Sequence, residues 1–280
     1  MCHLYRGTLN FNRTLLRIMN RKILFTAAAF LLAFTACEDI IDVDLNSVEP
    51  RLVIDASIRM GAPAEVRITK TKDFSDNTAY TPISEAVVSI SDDAGNTEVL
   101  PYDASGKFIA TTIRGVERRT YQLTVTYEEV EYTATTYMPP RVEIDSLTQW
   151  KFPIHDYPFP QIHFKDPIGK ENEYYRLIIG INDEYPRLRE PLISTEFMDG
   201  SMVHLPVFVS YEDGRDEDAI KKGDKITVEM RCIDKGTYTF FYTRDNMENA
   251  LANPTSNISG GALGYFGAYS YTSKEIVMEW

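Results

Sequence analysis

Cysteine is scarce in this chain. Its 280 residues contain three, Cys2, Cys37 and Cys232. The first two fall in or next to an N-terminal segment with the marks of a processed leader, so Cys232 has no partner for an internal disulfide. It stands in "KITVEMRC", in strand phase with Ile226, Val228 and Met230, which reads as a buried inert thiol rather than a nucleophile. Basic residues are few, 29 against 41 acids and a net charge of −12. That balance argues against nucleic-acid binding and against a basic patch for anionic headgroups. Long hydrophobic runs are missing as well. Ile23–Phe34 is apolar apart from Thr26 but falls short of the roughly 20 residues a membrane-spanning helix needs.

The short apolar run has another reading. Arg21 and Lys22 precede it and the small residues Thr35 and Ala36 follow it, which is the layout of a secretory signal. "AFTAC" resembles a bacterial lipobox, with Phe34 where leucine is usual. The resemblance implies cleavage before Cys37 and acylation of its sulfur, for which palmitate-type chains would anchor the chain stably. Glu38, Asp39, Asp42 and Asp44 resemble the surface-export signal of Bacteroidetes lipoproteins. "MNRKILF" makes Met19 a compact start, so residues 1–18 are expected to be an upstream extension. The segment 1–36 is therefore set apart as extension and signal peptide, and 37–48 as an acidic tether. Removing 1–36 leaves 24 basic against 41 acidic side chains, a net −17.

Beyond the tether, period-two alternation dominates. "RLVIDASIR" puts Leu52, Ile54, Ala56 and Ile58 on one face. "TYQLTVTY" does the same with Tyr121, Leu123, Val125 and Tyr127, and a tight acidic turn at Glu128–Glu129 leads into "VEYTATTYM". Short strands at this spacing predict an Ig-like antiparallel β-sandwich over 49–140. Pro139-Pro140 breaks the pairing. A second β-rich domain is expected over 141–280, with "YYRLIIGIND", "MVHLPVFVS" and "DKITVEMRCID" as strands. One short helix is expected within Tyr238–Asn253, in the second half of that stretch, where Phe240, Met247 and Leu251 fall roughly on one face. The chain should be mainly β.

Several stretches, "CEDIIDVDL", "RLVIDASI", "EAVVSISDDAG", "YQLTVTYEEVEYTATTYMP", "IDSL" and "NPTSNISGGALGYFGAYS", occur in an order that resembles the DUF4249 lipoproteins of Bacteroidetes. The resemblance spans nearly all of the chain after Cys37. It implies an outer-membrane lipoprotein facing the cell surface, often encoded beside a TonB-dependent receptor, and it brings no catalytic residues. The leading expectation is a non-enzymatic binding or accessory subunit of such a transporter, without a cofactor. The alternatives are a stand-alone carbohydrate-binding lipoprotein and a hydrolase with a dispersed site.

Candidate sites divide into bland and sharp readings. "SGGALGYFGAY" lacks the G-x-G-x-x-G order of a dinucleotide site. It reads as a glycine-bent segment with packed aromatics, or as a partner edge formed by Asn257, Tyr265, Phe266 and Tyr269. The acids Asp213, Asp216, Glu217 and Asp218 lack the EF-hand order and read as a solvated turn. His155 and His163 flank "DYPFPQI" and His204 lies far along the chain, so no metal site is expected. "WKFPIHDYPFPQIHF" offers Trp150, Phe152, Tyr157 and Phe159 as a sugar-stacking platform, or as a packed connection. "DSL" resembles a Bacteroidetes O-glycosylation site at Ser146.

Overall fold

A computed structural model describes residues 49–73, 76–151, 158–169, 173–185, 190–209, 220–247 and 252–280. Cys37, the signal segment, His155, Phe152, Tyr157 and the Asp213–Asp218 stretch lie outside the described residues.

The described chain is mainly β. Its first seven strands are β1 (Leu52–Arg59), β2 (Pro63–Lys70), β3 (Val87–Asp92), β4 (Thr97–Val99), β5 (Phe108–Arg114), β6 (Arg119–Tyr127) and β7 (Val130–Met138). The next seven are β8 (Ile144–Lys151), β9 (Pro158–Lys165), β10 (Tyr174–Ile181), β11 (Leu192–Ser194), β12 (Met202–Pro206), β13 (Lys225–Ile233) and β14 (Leu263–Val277). One helix, α1 (Lys235–Asp245), lies between β13 and β14.

The two sets of seven repeat one topology. In the first, β1-β2-β5 stand side by side, as do β4-β3-β6-β7. In the second, β8-β9-β12 and β11-β10-β13-β14 occupy the corresponding places. Both are Greek-key sandwiches of immunoglobulin type, with the fourth strand on the sheet of the third, sixth and seventh. Tyr121 near the start of β6 supplies a tyrosine corner: its hydroxyl accepts from the Val116 backbone N–H at 2.7 Å and lies 3.3 Å from the Arg114 carbonyl. Such a corner is a hallmark of that fold.

The sandwiches share a sheet. β14 pairs in parallel with β1, from Val53 opposite Leu263 to Arg59 opposite Tyr269, and antiparallel with β13 over its later part. The order β11-β10-β13-β14-β1-β2-β5 is therefore one seven-stranded sheet, and residues 48–280 form one compact unit. Gly264 makes the close approach possible. Its φ is +98°, and a Cβ there would stand 2.0 Å from the Ile54 carbonyl oxygen.

Two apolar clusters fill the sandwiches, and the Pro139-Pro140 break falls between their strands. The first gathers Ile54, Ile58, Val66, Ile90, Leu123 and Met138, and the second Ile162, Phe164, Tyr175, Val228, Met230 and Cys232. Cys232 is fully buried, in the core phase expected of it. β14 serves both clusters, with Phe266 and Ala268 in the first and Met278, just after its end, in the second.

The helix starts earlier than the sequence suggests. "YTFFYT" has strand-like composition, yet Asp234 fixes it as helix. The Asp234 carboxylate accepts the Thr237 backbone N–H at 2.8 Å in an N-cap, and the buried Thr237, Phe240 and Phe241 lie against the sheet. Leu251, expected on its apolar face, lies outside the described residues.

Candidate functional site

A concavity lies where the two sandwiches and the N-terminus of α1 meet. It holds about 480 Å³. Tyr137 and Pro139 come from the end of β7 and its link, Glu173 and Tyr174 from the start of β10, Glu196 and Phe197 from the turn after β11, and Asp234 and Lys235 from the start of the helix.

Each wall is fixed by local bonding. Asp234 caps α1 with one carboxylate oxygen, and with the other accepts from Thr136 Oγ1 at 2.8 Å and from the Tyr137 N–H at 3.0 Å. Glu196 accepts the Tyr174 hydroxyl, and Lys235 Nζ lies 3.3 Å from the same carboxylate oxygen. Burial raises the Tyr174 pKa above the usual phenol range, and the bond to Glu196 adds to the rise. The bonds from Lys235 to Tyr174 and Glu196 raise the ammonium pKa, so the groove keeps its cation.

Phe197 stands at the rim and is 98% exposed. Buried Tyr174 packs with a tilted ring 4.8 Å from Tyr238, which stacks at 5.8 Å on the half-exposed Tyr242 one helical turn on. An aromatic strip thus leads from the groove along the outer side of α1. Large exposed aromatic groups beside a concave polar wall are the usual anchors of a docking surface.

Under the helix, arginines and rings interleave on the outer face of the seven-stranded sheet. Arg176 lies 3.6 Å and Arg244 4.7 Å from the Phe241 ring centre, and Glu190 pairs with both guanidinium groups. Arg231 covers Tyr269 at 4.4 Å, and Arg59 covers Tyr271 at 4.1 Å. These contacts hold the helix over the sheet.

The residues singled out from sequence fall in different places. Asn257 is consumed internally: its side chain accepts the Phe266 N–H at 2.9 Å and donates to the Phe266 carbonyl at 2.7 Å, mimicking a strand partner for β14. Phe266 is fully buried, because its strand phase points it into the first core. Tyr265 packs on Phe240 at 4.7 Å, and Tyr269 lies under Arg231. The expected partner edge is thereby corrected to a packed, glycine-bent segment. Phe159 is also buried, packed at 5.0 Å on Phe208, with half-buried Trp150 beside it. Strand pairing sets Trp150 opposite Phe159, so these two form a packed cluster rather than an open platform. Ser146 is exposed on β8.

Two histidines that are distant in sequence meet in the fold. His163 on β9 and His204 on β12 are cross-strand neighbours, with their Nδ1 atoms 2.5 Å apart. Burial and the neighbouring His204 hold the His163 pKa below its usual value, while Asp145 pulls the other way. The groove and its strip escaped sequence reasoning because five separate elements supply them. The one local signal was the i, i+4 spacing of Tyr238 and Tyr242.

A tandem immunoglobulin-type β protein with a polar groove at its waist is the class these features define. Residues 38–275 match the family described as Domain of unknown function (DUF4249), and the chain belongs to that family. No curated protein matches it.

Proposed function

We propose that the protein is a lipid-anchored, non-enzymatic binding subunit that works at the outer membrane beside a TonB-dependent transporter. In this reading Cys37 carries the acyl chains. The segment 37–48 tethers the sandwiches, at most about 40 Å long when fully extended. The waist groove and its aromatic strip form the docking face. The observation that carries the proposal is Phe197, almost wholly exposed at the rim of a groove walled by Glu173, Glu196 and Lys235. Its exposed ring, together with Tyr238 and Tyr242, offers an apolar anchor that a partner would bury.

Further support comes from the lipobox-like "AFTAC" and from the acidic surface, which leaves the lipid rather than a basic patch to hold the membrane. Ser146, exposed on β8, is free to carry a glycan in this reading.

The test is affinity capture from gently solubilised outer membranes. The wild-type chain should retain a transporter of the TonB-dependent class, and Phe197→Asp should lose most of it while folding normally. Recovery of the same transporter by both, or of none by either, overturns the proposal. Cys37→Ser should move the protein from the membrane to the soluble fraction.

A further inference from the structure

The three-stranded sheet β12-β9-β8 turns an alternate set of side chains outward. Among them are Ser146 and Thr148 on β8, Gln161 and His163 on β9, and His204 on β12. His163 is half-buried and His204 exposed. The two histidines sit directly opposite each other in the antiparallel register, so their side chains leave the sheet side by side. Their ring centres are 4.8 Å apart at 62°, and the two Nδ1 atoms face each other at 2.5 Å.

Thr148 bonds one nitrogen of His163 and leaves the other turned toward His204. The Thr148 oxygen lies 2.7 Å from His163 Nε2, where either atom can donate. The two Nδ1 atoms share a hydrogen bond, one N–H donating to the other ring's lone pair. A metal ion would displace that proton and select the His163 tautomer whose Nε2–H donates to Thr148. An outer hydrogen bond of this kind, holding one ring nitrogen so that the other is presented, is the usual support of a metal-bound histidine. The chain as a whole is acidic, which draws cations to its surface.

We propose that His163 and His204 form a two-imidazole site for a divalent first-row transition metal, copper foremost. Two cis nitrogens with metal–ligand bonds of about 2.0–2.1 Å stand about 2.9 Å apart, so the rings separate slightly and turn their lone pairs from each other toward a shared point to admit the ion. Imidazole nitrogens in a tetragonal arrangement suit Cu²⁺, which also leads the affinity order for such donors. No cluster of three or more histidine, cysteine or acidic side chains that could hold a metal occurs among the described residues, so water completes the shell. The site lies on strands of the second sandwich and takes no part in the waist groove. Its fate is therefore independent of the docking reading.

The test uses tag-free protein from residue 48 onward, the compact unit without the leader and its Met1-Cys2-His3 terminus, and CuCl₂ alone. Calorimetry and electron paramagnetic resonance should show Cu²⁺ at one equivalent with nitrogen hyperfine coupling. His163→Asn and His204→Asn should each weaken that binding by more than about 100-fold, beyond the roughly 10–100-fold that loss of an outer-sphere partner causes. The double variant keeps His155 and should lose the signal. Circular dichroism of the variants should match the wild type, as expected for outward-facing side chains. A measurement on the wild type alone avoids any question of folding: Cu²⁺ should protect His163 and His204 from diethyl pyrocarbonate, read by mass spectrometry. Unchanged copper coordination in the double variant, or modification of both rings at the same rate with and without Cu²⁺, overturns the assignment.

Discussion

Asp234 and Thr136 are 98 positions apart in sequence, yet a hydrogen bond of 2.8 Å joins the cap of the helix to the last strand of the first sandwich. Thr136 Oγ1 in turn accepts the Ala268 backbone N–H at 2.9 Å. One carboxylate therefore organises the start of α1, the end of β7 and the middle of β14. Asp234→Ala removes the cap and leaves the Tyr137 N–H without that acceptor. The expected loss is about 2–4 kcal/mol, from a cap worth about 1–2 and a broken buried charge-assisted bond of similar size. Chemical denaturation measures it. A loss below half of the lower figure would show that the helix is held by packing alone.

The shared sheet predicts one unfolding event. Phe266 is fully buried in the first core, while β14 continues as a strand of the second sandwich. Phe266→Ala should cost about 3–5 kcal/mol. Hydrogen exchange should show β6 in the first sandwich and β10 in the second losing protection together. Two separated thermal transitions in the wild type would refute this coupling.

Glu98 predicts an acid-sensitive seam. Burial alone would raise its pKa. The hydroxyls of Thr111 and Thr112 and the backbone N–H groups of Ile113 and Thr111 overcome that and bring it to about 2. The carboxylate projects from β4 onto β5, so it closes one open edge of the first sandwich. Because the folded pKa lies below the unfolded value, the stabilisation is complete above about pH 4.5 and fades as pH falls toward about 2. Glu98→Gln should lose about 1–2 kcal/mol at pH 7 after allowance for solvent screening, and the gap to wild type should narrow below pH 4. Melting curves across pH 2–7 read the difference directly.

The tyrosine corner makes a smaller prediction. Tyr121→Phe leaves the Val116 N–H without its acceptor while keeping the ring in place. The expected cost is about 1–2 kcal/mol with no change in the circular dichroism spectrum. A neutral result would mean that water replaces the hydroxyl.

Much of the strand content was legible because one face of each strand is buried. The alternation in β1 and β6 matches their core faces, and in β13 the expected Ile226, Val228, Met230 and Cys232 are all buried, with Thr227 and Ile233 covered on the other face as well. The tight turn at Glu128–Glu129 is present too, with φ of +48° and +66°. What stayed hidden depends on distance along the chain. Val53 lies opposite Leu263, and no local pattern announces a parallel pairing across that separation. "YTFFYT" has the composition of a strand, and a single preceding aspartate overrode it. His163 and His204 are 41 positions apart, so their meeting depended on a register that composition does not encode. The groove is hidden for the same reason, since each of its walls is an ordinary strand end or turn when read alone.

The parallel seam between β1 and β14 also sets an order of events in time. β1 is made early, and the segment that covers its free edge is made some two hundred residues later. Until Leu263–Tyr269 arrives, the backbone donors and acceptors along that margin have no mate, and a nascent or truncated chain presents them to any passing strand. Maturation is therefore governed from the far end of the polypeptide: the opening module becomes safe from self-association only once the closing one has been delivered.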